Sequence, residues 1–327
     1  MSRLYAIGEM LIDFMPLETG CSLQEVTSFK RAPGGAPANV AAAAAKYGST
    51  AYLLTQLGQD AFGDYLLQEL ERAGVLTEHI RRTDEAGTAL AFVSLKENGE
   101  RDFSFYRNPS ADLLLHEDDI DPDWFAPGDI LHFGSVDLVD SPMKLAHRKA
   151  IRAAKTAGAL ISFDPNVRLP LWKDGDSCRR AILEFLPTAH LVKISDEELE
   201  FITGISDTET AILSLFRGDV QAVVYTRGAD GAELYTRRAH YIDSGFSVKA
   251  LDTTGAGDAF VGGLLHSLLE LHVDPQKLSA LLDEHHVHLL RFANASGALT
   301  TTGAGAISAL PDRSSVESLI ATASSIV

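Results

Sequence analysis

From residue 130 onward the chain repeats one pattern, a short and mainly apolar run followed by a stretch long enough for a helix. The runs at 130–133, 160–163, 191–194 and 220–225 read as strands, and 142–157, 177–186, 196–202 and 208–216 read as the helices between them. A strand with no polar face must be covered on both sides, and strands that return in the same direction need a crossover, which a helix supplies. The pattern therefore predicts an α/β fold with a doubly wound, mainly parallel sheet and helices on both faces. Further helices are expected at 262–271, 276–299 and 314–323.

The first third of the chain is organised differently. Residues 4–14 read as one apolar strand, and 37–47 as a helix with Pro37 in its first turn. A strand at 51–56 and a helix at 61–73 follow, with Gly74 as the stop. Segments 88–96 and 101–107 alternate in character on either side of Glu97-Asn-Gly-Glu100. Asn98-Gly99 predicts a hairpin turn there, because both central positions of a type I′ turn need positive φ. This hairpin and the extended segment near 23–31 are expected to form a small β-sheet lid, built from about 14–32 and 87–108. Neither a repeat nor a low-complexity linker divides the chain, so residues 1–327 are expected to form a single domain.

Composition narrows the partners. Hydrophobic residues make up 46% and charged residues 22%, as in an ordinary soluble protein. The 28 Lys and Arg against 45 Asp and Glu give a net charge of −17, which argues against a nucleic-acid partner. It does not exclude a nucleotide, which needs only a local pocket of backbone amides. Cys21 and Cys178 have neither disulfide-framework nor zinc-site spacing. No apolar run approaches the roughly 20 residues that cross a bilayer, and the start shows no signal-peptide pattern. A cytoplasmic protein without a membrane partner is expected, and the Asn294-Ala-Ser296 sequon is then a chance occurrence.

One stretch carries the chemistry. Gly255-Ala256-Gly257 leads into Asp258 and a helix-compatible segment. Glycines let backbone amides approach an anion, and a helix start favours negative charge there. An aspartate beside such a turn makes sense as a base that takes a proton from an attacking hydroxyl. By itself the turn also has a plain reading as a capped helix start. A second copy of the glycine spacing, Gly303-Ala-Gly-Ala306, lacks the acid and reads as turn or backbone-ligand chemistry. Gly-x-Gly-x-x-Gly and P-loop patterns are both missing, which removes the main support for dinucleotide and P-loop sites.

Asp252-Thr-Thr-Gly-Ala-Gly-Asp-Ala-Phe260 resembles the C-terminal signature of the ribokinase-like (PfkB) carbohydrate kinases. Gly34-Gly-Ala-Pro-Ala-Asn-Val-Ala41 resembles their N-terminal substrate signature. The likeness runs over nearly the whole chain and is nearest to the fructokinases. The subgroup segments are Gly8-Glu-Met-Leu-Ile-Asp-Phe14, Phe105-Tyr-Arg-Asn-Pro-Ser-Ala-Asp112, Phe163-Asp-Pro-Asn-Val-Arg168 and Phe292-Ala-Asn-Ala295. The resemblance implies that MgATP phosphorylates a sugar hydroxyl beneath a β lid that often helps form a homodimer. It implies Asp258 as base, with Gly255, Ala256 and Gly257 as the anion hole. It places Asp13, Gly34, Gly35 and Asn39 on sugar hydroxyls. Phe103 or Phe105, together with Arg107, would close over the sugar. Asn166 and Arg168 follow an apolar strand, where α/β sheets place ligands, and Arg168 would serve either the phosphates or the sugar. Taken singly, each of these residues has an ordinary structural account; their joint pattern points to the kinase.

On the nucleotide side the resemblance points to Lys193, Thr226, Gly228 and Asn294. Glu198 would organise Mg²⁺ indirectly, through water, with Ser195 standing where the family often has Asn. Asp252 and the Thr254 carbonyl would hold K⁺ with the 301–308 loop, although relatives commonly carry basic residues near Gly303 and Ala304. Glu284-His-His-Val-His288 reads as a solvated helix face and not a metal site. D-fructose, giving fructose 6-phosphate, is the expected substrate. A 2-keto-3-deoxygluconate, ribose or nucleoside-type kinase is the rival within the family, and a non-catalytic sugar-binding regulator is the rival outside it.

Overall fold

The computed structural model describes residues 2–18, 20–95 and 101–324. Among them, eight strands form the main sheet, in the order His240–Asp243, Ala232–Thr236, Ala222–Thr226, Leu191–Ser195, Leu160–Phe163, Ile130–Phe133, Arg3–Ile7 and Thr50–Leu54. From Ala222–Thr226 to Thr50–Leu54 all neighbours are parallel. The first two strands join antiparallel. Along Arg3–Ile7, Leu4 and Ala6 enter one apolar core while Tyr5 and Ile7 enter the other. This is period-two burial with both faces covered, as the apolar runs predict.

Arg3–Ile7 is the topological pivot. The chain first adds Thr50–Leu54 on one side of it and later Ile130–Phe133 on the other. Such a reversal opens a crevice at the carboxyl ends of the strands. The expected strand at 4–14 is in fact two. Arg3–Ile7 stays in the main sheet, Gly8 turns the chain at φ +147°, and Leu11–Pro16 enters a second sheet. That sheet has the order Phe29–Gly34, Leu11–Pro16, Leu90–Leu95, Arg101–Tyr106. Leu90–Leu95 and Arg101–Tyr106 pair antiparallel, as the hairpin reading expects; the Asn98-Gly99 turn itself lies outside the described residues. The strand expected at 51–56 also divides, because Gln56–Gly58 pairs with Arg81–Thr83.

Two packing features position the site. Helix Ala36–Lys46 lies against helix Ala256–Glu270 so closely that a Cβ on Gly262 would sit 2.5 Å from the Ala43 Cβ. The alanine run 41–45 permits this approach and brings the two helix starts side by side. Second, an aromatic group fastens the smaller sheet to helix Ala61–Ala73: Phe14 stacks on Phe92 at 4.6 Å and meets Phe62 edge-on at 5.7 Å.

Asp60 adds a polar fastening at the same place. Its Oδ1 accepts from Phe62 N at 3.0 Å and Gly63 N at 2.8 Å, and its Oδ2 accepts from Thr88 N at 2.8 Å. Thr88 stands just before the strand Leu90–Leu95. Asp60→Ala is expected to destabilise the protein by about 2 kcal/mol, through a lost helix cap and an unpartnered buried amide. Urea denaturation measures this, and an unchanged midpoint would show that the tie carries no stability.

Candidate active site

At the carboxyl ends of the central strands lies a cleft of about 610 Å³. Its lining includes Asp13, Gly35, Asn39, Phe105, Asn166, Arg168, Lys193, Glu198, Thr254, Gly255, Gly257 and Asp258. These residues come from both sheets and from segments spread across the chain. The structure thus gathers at one place most of the residues singled out from sequence.

Asp258 occupies the first turn of helix Ala256–Glu270, which begins earlier than the 262–271 expected from periodicity. Gly255 precedes it at φ +77°, in the left-handed region. A Cβ on Gly255 would lie 2.7 Å from the Ala306 Cβ, so the acid-free glycine loop is packed directly on the acid-bearing one. Asp252 joins the two loops: Oδ1 accepts from Thr254 N at 3.0 Å and Thr254 Oγ1 at 2.7 Å, and Oδ2 accepts from Gly305 N at 2.9 Å.

Only 8% of Asp258 is exposed. Its Oδ2 accepts from Asn39 Nδ2 at 2.7 Å and its Oδ1 from Asn166 Nδ2 at 3.3 Å. Burial pushes its pKa above the usual carboxylate value; the Asn39 bond and the charges of Arg168 and Lys193 oppose that shift. A buried carboxylate held by amide donors, with its pKa moved toward neutrality, is suited to general-base work. Asn166 has φ +43°, a conformation that Asn tolerates better than most residues, and this directs its amide back to the helix start.

The sugar-side candidates are close neighbours. Gly34 packs so tightly on Asp13 that a Cβ would lie 2.1 Å from Asp13 Oδ2. On the other side of Asn39, its Oδ1 is buried without a hydrogen-bond partner. An orphaned acceptor in a cleft is where a hydroxyl donor fits. Phe105 packs on Leu11, Ala89 and Ala91 and reaches the cleft, while Phe103 is placed in backbone register with Val93. Arg107 has a different situation from the one expected over a sugar. Its side chain is 6% exposed, and its guanidinium pairs with Asp112 and with Asp137 Oδ1 at 2.5 Å.

Lys193 sits in the middle of the strand Leu191–Ser195, and its Nζ lies 3.1 Å from Asp164 Oδ2. Burial works against the lysine charge, but Asp164 and Glu198 outweigh it and hold the pKa above its ordinary value. Asp164 is pushed up to about 6 by burial, with Lys193 opposing. Glu198 has its carboxylate engaged: Oε1 accepts from Val167 N at 2.6 Å, and Oε2 from Ser195 N at 3.0 Å and Ser195 Oγ at 2.8 Å. Burial would raise its pKa, but Lys193 and these donors bring it below the usual value. Ser195 therefore has a clear local role, as the cap of helix Asp196–Thr203 in a reciprocal capping box. Both oxygens of this carboxylate are thus engaged by donors of the chain itself. Among the described residues no three His, Cys, Asp or Glu side chains converge as a metal site.

Thr226 ends the next strand, in register with Ser195, and Gly228 opens the turn Gly228–Asp230 that follows. Asn294 is placed further along, with Nδ2 donating to Asp243 Oδ1 at 2.7 Å. None of these three lines the 610 Å³ cleft. In the histidine run, His286 stacks on Tyr241 at 3.8 Å. Sequence reasoning assigned no role to Glu9, Asp137 or Asp164. Each carboxylate stands shortly after the carboxyl end of an apolar strand, Arg3–Ile7, Ile130–Phe133 or Leu160–Phe163, and that position was the available signal.

Comparison with known proteins agrees with this geometry. Residues 1–313 match the family described as pfkB family carbohydrate kinase. The chain is 45% identical to fructokinase-2 of Solanum lycopersicum over 97% of this chain and 95% of that one. Among solved structures it resembles the fructokinase of Xylella fastidiosa with bound ATP, with a TM-score of 0.90 and 38% identity over 98% of this chain and 99% of that one. It also resembles the fructokinase of Vibrio cholerae O395 with fructose, ADP and calcium ion bound, with a TM-score of 0.85 and 36% identity over 98% and 99%. With the family model matched over residues 1–313, and sequence and fold alike along nearly the full length, this chain belongs to the pfkB family of carbohydrate kinases.

Proposed function

We propose that the protein transfers the terminal phosphoryl group of ATP to D-fructose, giving ADP and fructose 6-phosphate. The observation that carries this reading is the contact of Asp258 with Asn39, which joins the base to the sugar side of one cleft. The primary hydroxyl of the sugar lies against Asp258, gives up its proton to that carboxylate and attacks the phosphorus. Backbone amides of Gly255, Ala256 and Gly257 receive the charge that builds on the transferred group. Asp13, Gly34, Gly35, Asn39 and Asn166 orient the ring, and Phe105 of the smaller sheet, which lines the cleft, closes over it. Arg168, whose charge Asp258 feels, steadies the phosphates, as does Lys193.

The nucleotide extends past Thr226 and Gly228 toward Asn294. Mg²⁺ accompanies ATP and neutralises its phosphates, with Glu198 and water as its link to the chain. K⁺ is assigned to Asp252, Thr254 and the neighbouring C-terminal loop, whose tie through Gly305 N keeps those carbonyls together. The smaller sheet acts as the lid of a single domain. It also supplies the face of a homodimer, where Tyr106 is 63% exposed beside the aromatic group. Among the described residues no helix is long and apolar enough to cross a membrane, and a cytoplasmic location accords with the ATP requirement.

A coupled ADP-release assay across fructose, ribose, 2-keto-3-deoxygluconate and nucleosides tests the reading. Fructose is expected to give the highest kcat/KM. A higher value for any other member would reassign the substrate. Tight sugar binding without ADP from any member would instead support a regulator that only binds sugar.

A further inference from the structure

Lys193 and Asp164 form an ion pair that is almost wholly enclosed, the two residues being 8% and 3% exposed. The ammonium lies 3.1 Å from Asp164 Oδ2 and 3.3 Å from Oδ1. On its other side stands the signature turn. A Cβ on Gly257 would lie 3.7 Å from Lys193 Nζ, so the ammonium borders the turn where residue 257 contributes no side chain. Asp258, one residue further on, feels the charge of Lys193.

An ammonium has three N–H donors. Asp164 can take two of them, which leaves the third for an oxygen held over the turn. Glu198 adds to the field around Lys193, but its own oxygens are spent on Val167 N and Ser195. The direction of the ammonium is therefore set by Asp164. That carboxylate is itself fixed, because Oδ1 also accepts from Asn166 N at 3.2 Å in a short side-chain turn. An ammonium this deeply buried, with no carboxylate beside it, would lose its proton or swing out to water.

We propose that Asp164 is a positioning residue for transfer: it aims the Lys193 ammonium at the phosphoryl group over Gly257 and acts through Lys193, without touching substrate. The proposal rests on the sugar-kinase reading of the cleft.

A double-mutant cycle on the full chain tests it, with kcat measured at saturating fructose and MgATP. The assay is run at about pH 8, where Asp164, raised by burial to about 6, is ionised. Asn at position 164 keeps Oδ1 for Asn166 N and presents an amide donor to the ammonium in place of Oδ2. Lys193→Met is expected to lower kcat by about 10²-fold, and Asp164→Asn by about 10-fold or more. Calorimetry should find fructose affinity within a few-fold of the parent in both variants. The double variant is expected to match Lys193→Met within about 3-fold, because Asp164 has nothing left to aim. Losses that multiply would mean that Asp164 acts by another route, such as the Asn166 turn, and overturn the proposal. Parental kcat in Asp164→Asn overturns it too. Should that single variant fail to fold, the double variant buries no lone charge and is still compared with Lys193→Met; a further loss of about 10-fold or more is then the adverse result. Failure of the kinase reading looks different: the parent then releases no ADP from ATP with fructose.

Discussion

Replacing Asp258 by Asn lowers kcat by about 10²–10⁴-fold while ATP affinity stays within a few-fold. Asn keeps the shape of the side chain and can still pair with Asn39 and Asn166 after an amide flip, but it cannot take the proton of the attacking hydroxyl. The phosphate-binding amides of the turn are untouched, so nucleotide binding survives. Calorimetry for ATP and steady-state kinetics for the sugar separate the two effects; near-normal turnover would remove Asp258 as base. The same carboxyl fixes the acid limb of the pH profile. A base works only when ionised, and burial raises the pKa of Asp258. In the parent, kcat/KM therefore falls as pH drops through a value above the ordinary aspartate range, with a slope of one. Lys193→Met removes one of the charges that oppose the shift, so it should move this limb to higher pH.

Gly255→Ala lowers kcat by about 10²–10³-fold, the scale of losing aligned donors around a developing charge. Two causes act together. The position has φ +77°, where an L side chain costs about 1 kcal/mol, and the new Cβ would stand 2.7 Å from the Ala306 Cβ. The strain can be relieved by moving the turn or by pushing the 301–308 loop away, and either course misplaces the amides of Ala256 and Gly257. The steric part is separable, because adding Ala306→Gly makes room for the new methyl group. The double variant is expected to recover about 10-fold in kcat, whereas Ala306→Gly alone changes little. Full activity in Gly255→Ala would show that the turn need not hold this shape for transfer.

The α/β core was largely legible because its strands carry no polar face. Leu160–Phe163 and Leu191–Ser195 are mainly apolar on both faces, and only a doubly covered sheet accepts that. The antiparallel strands Ala232–Thr236 and His240–Asp243 escaped notice because they mix polar and apolar residues and lie at the sheet edge. The break after Ile7 escaped for the opposite reason: Leu4 to Phe14 is apolar on both sides of Gly8, and the change of sheet leaves no trace in hydropathy. Of the site, Asp258, Asn39 and Asn166 were legible by motif, and the fold adds their mutual contacts. Arg107 was the hardest to place. A cation beside an aromatic pair suggests a ligand contact, but the two aspartates that hold it come from residues 112 and 137, which only the fold brings together.

The bond from Gly305 N to Asp252, and the contact of Ala306 with Gly255, give the molecule an order of assembly. A chain emerging from a ribosome presents Asp13 and the Gly34–Asn39 segment early, within its first forty positions, and the signature turn much later. That turn then has no partner to rest against until some fifty further residues have been made. Nascent intermediates that end between the signature turn and Gly305 carry both signatures without the buttress that shapes the second. Competence for phosphoryl transfer therefore arrives as a late event in synthesis, set by the arrival of two small residues that never touch the sugar.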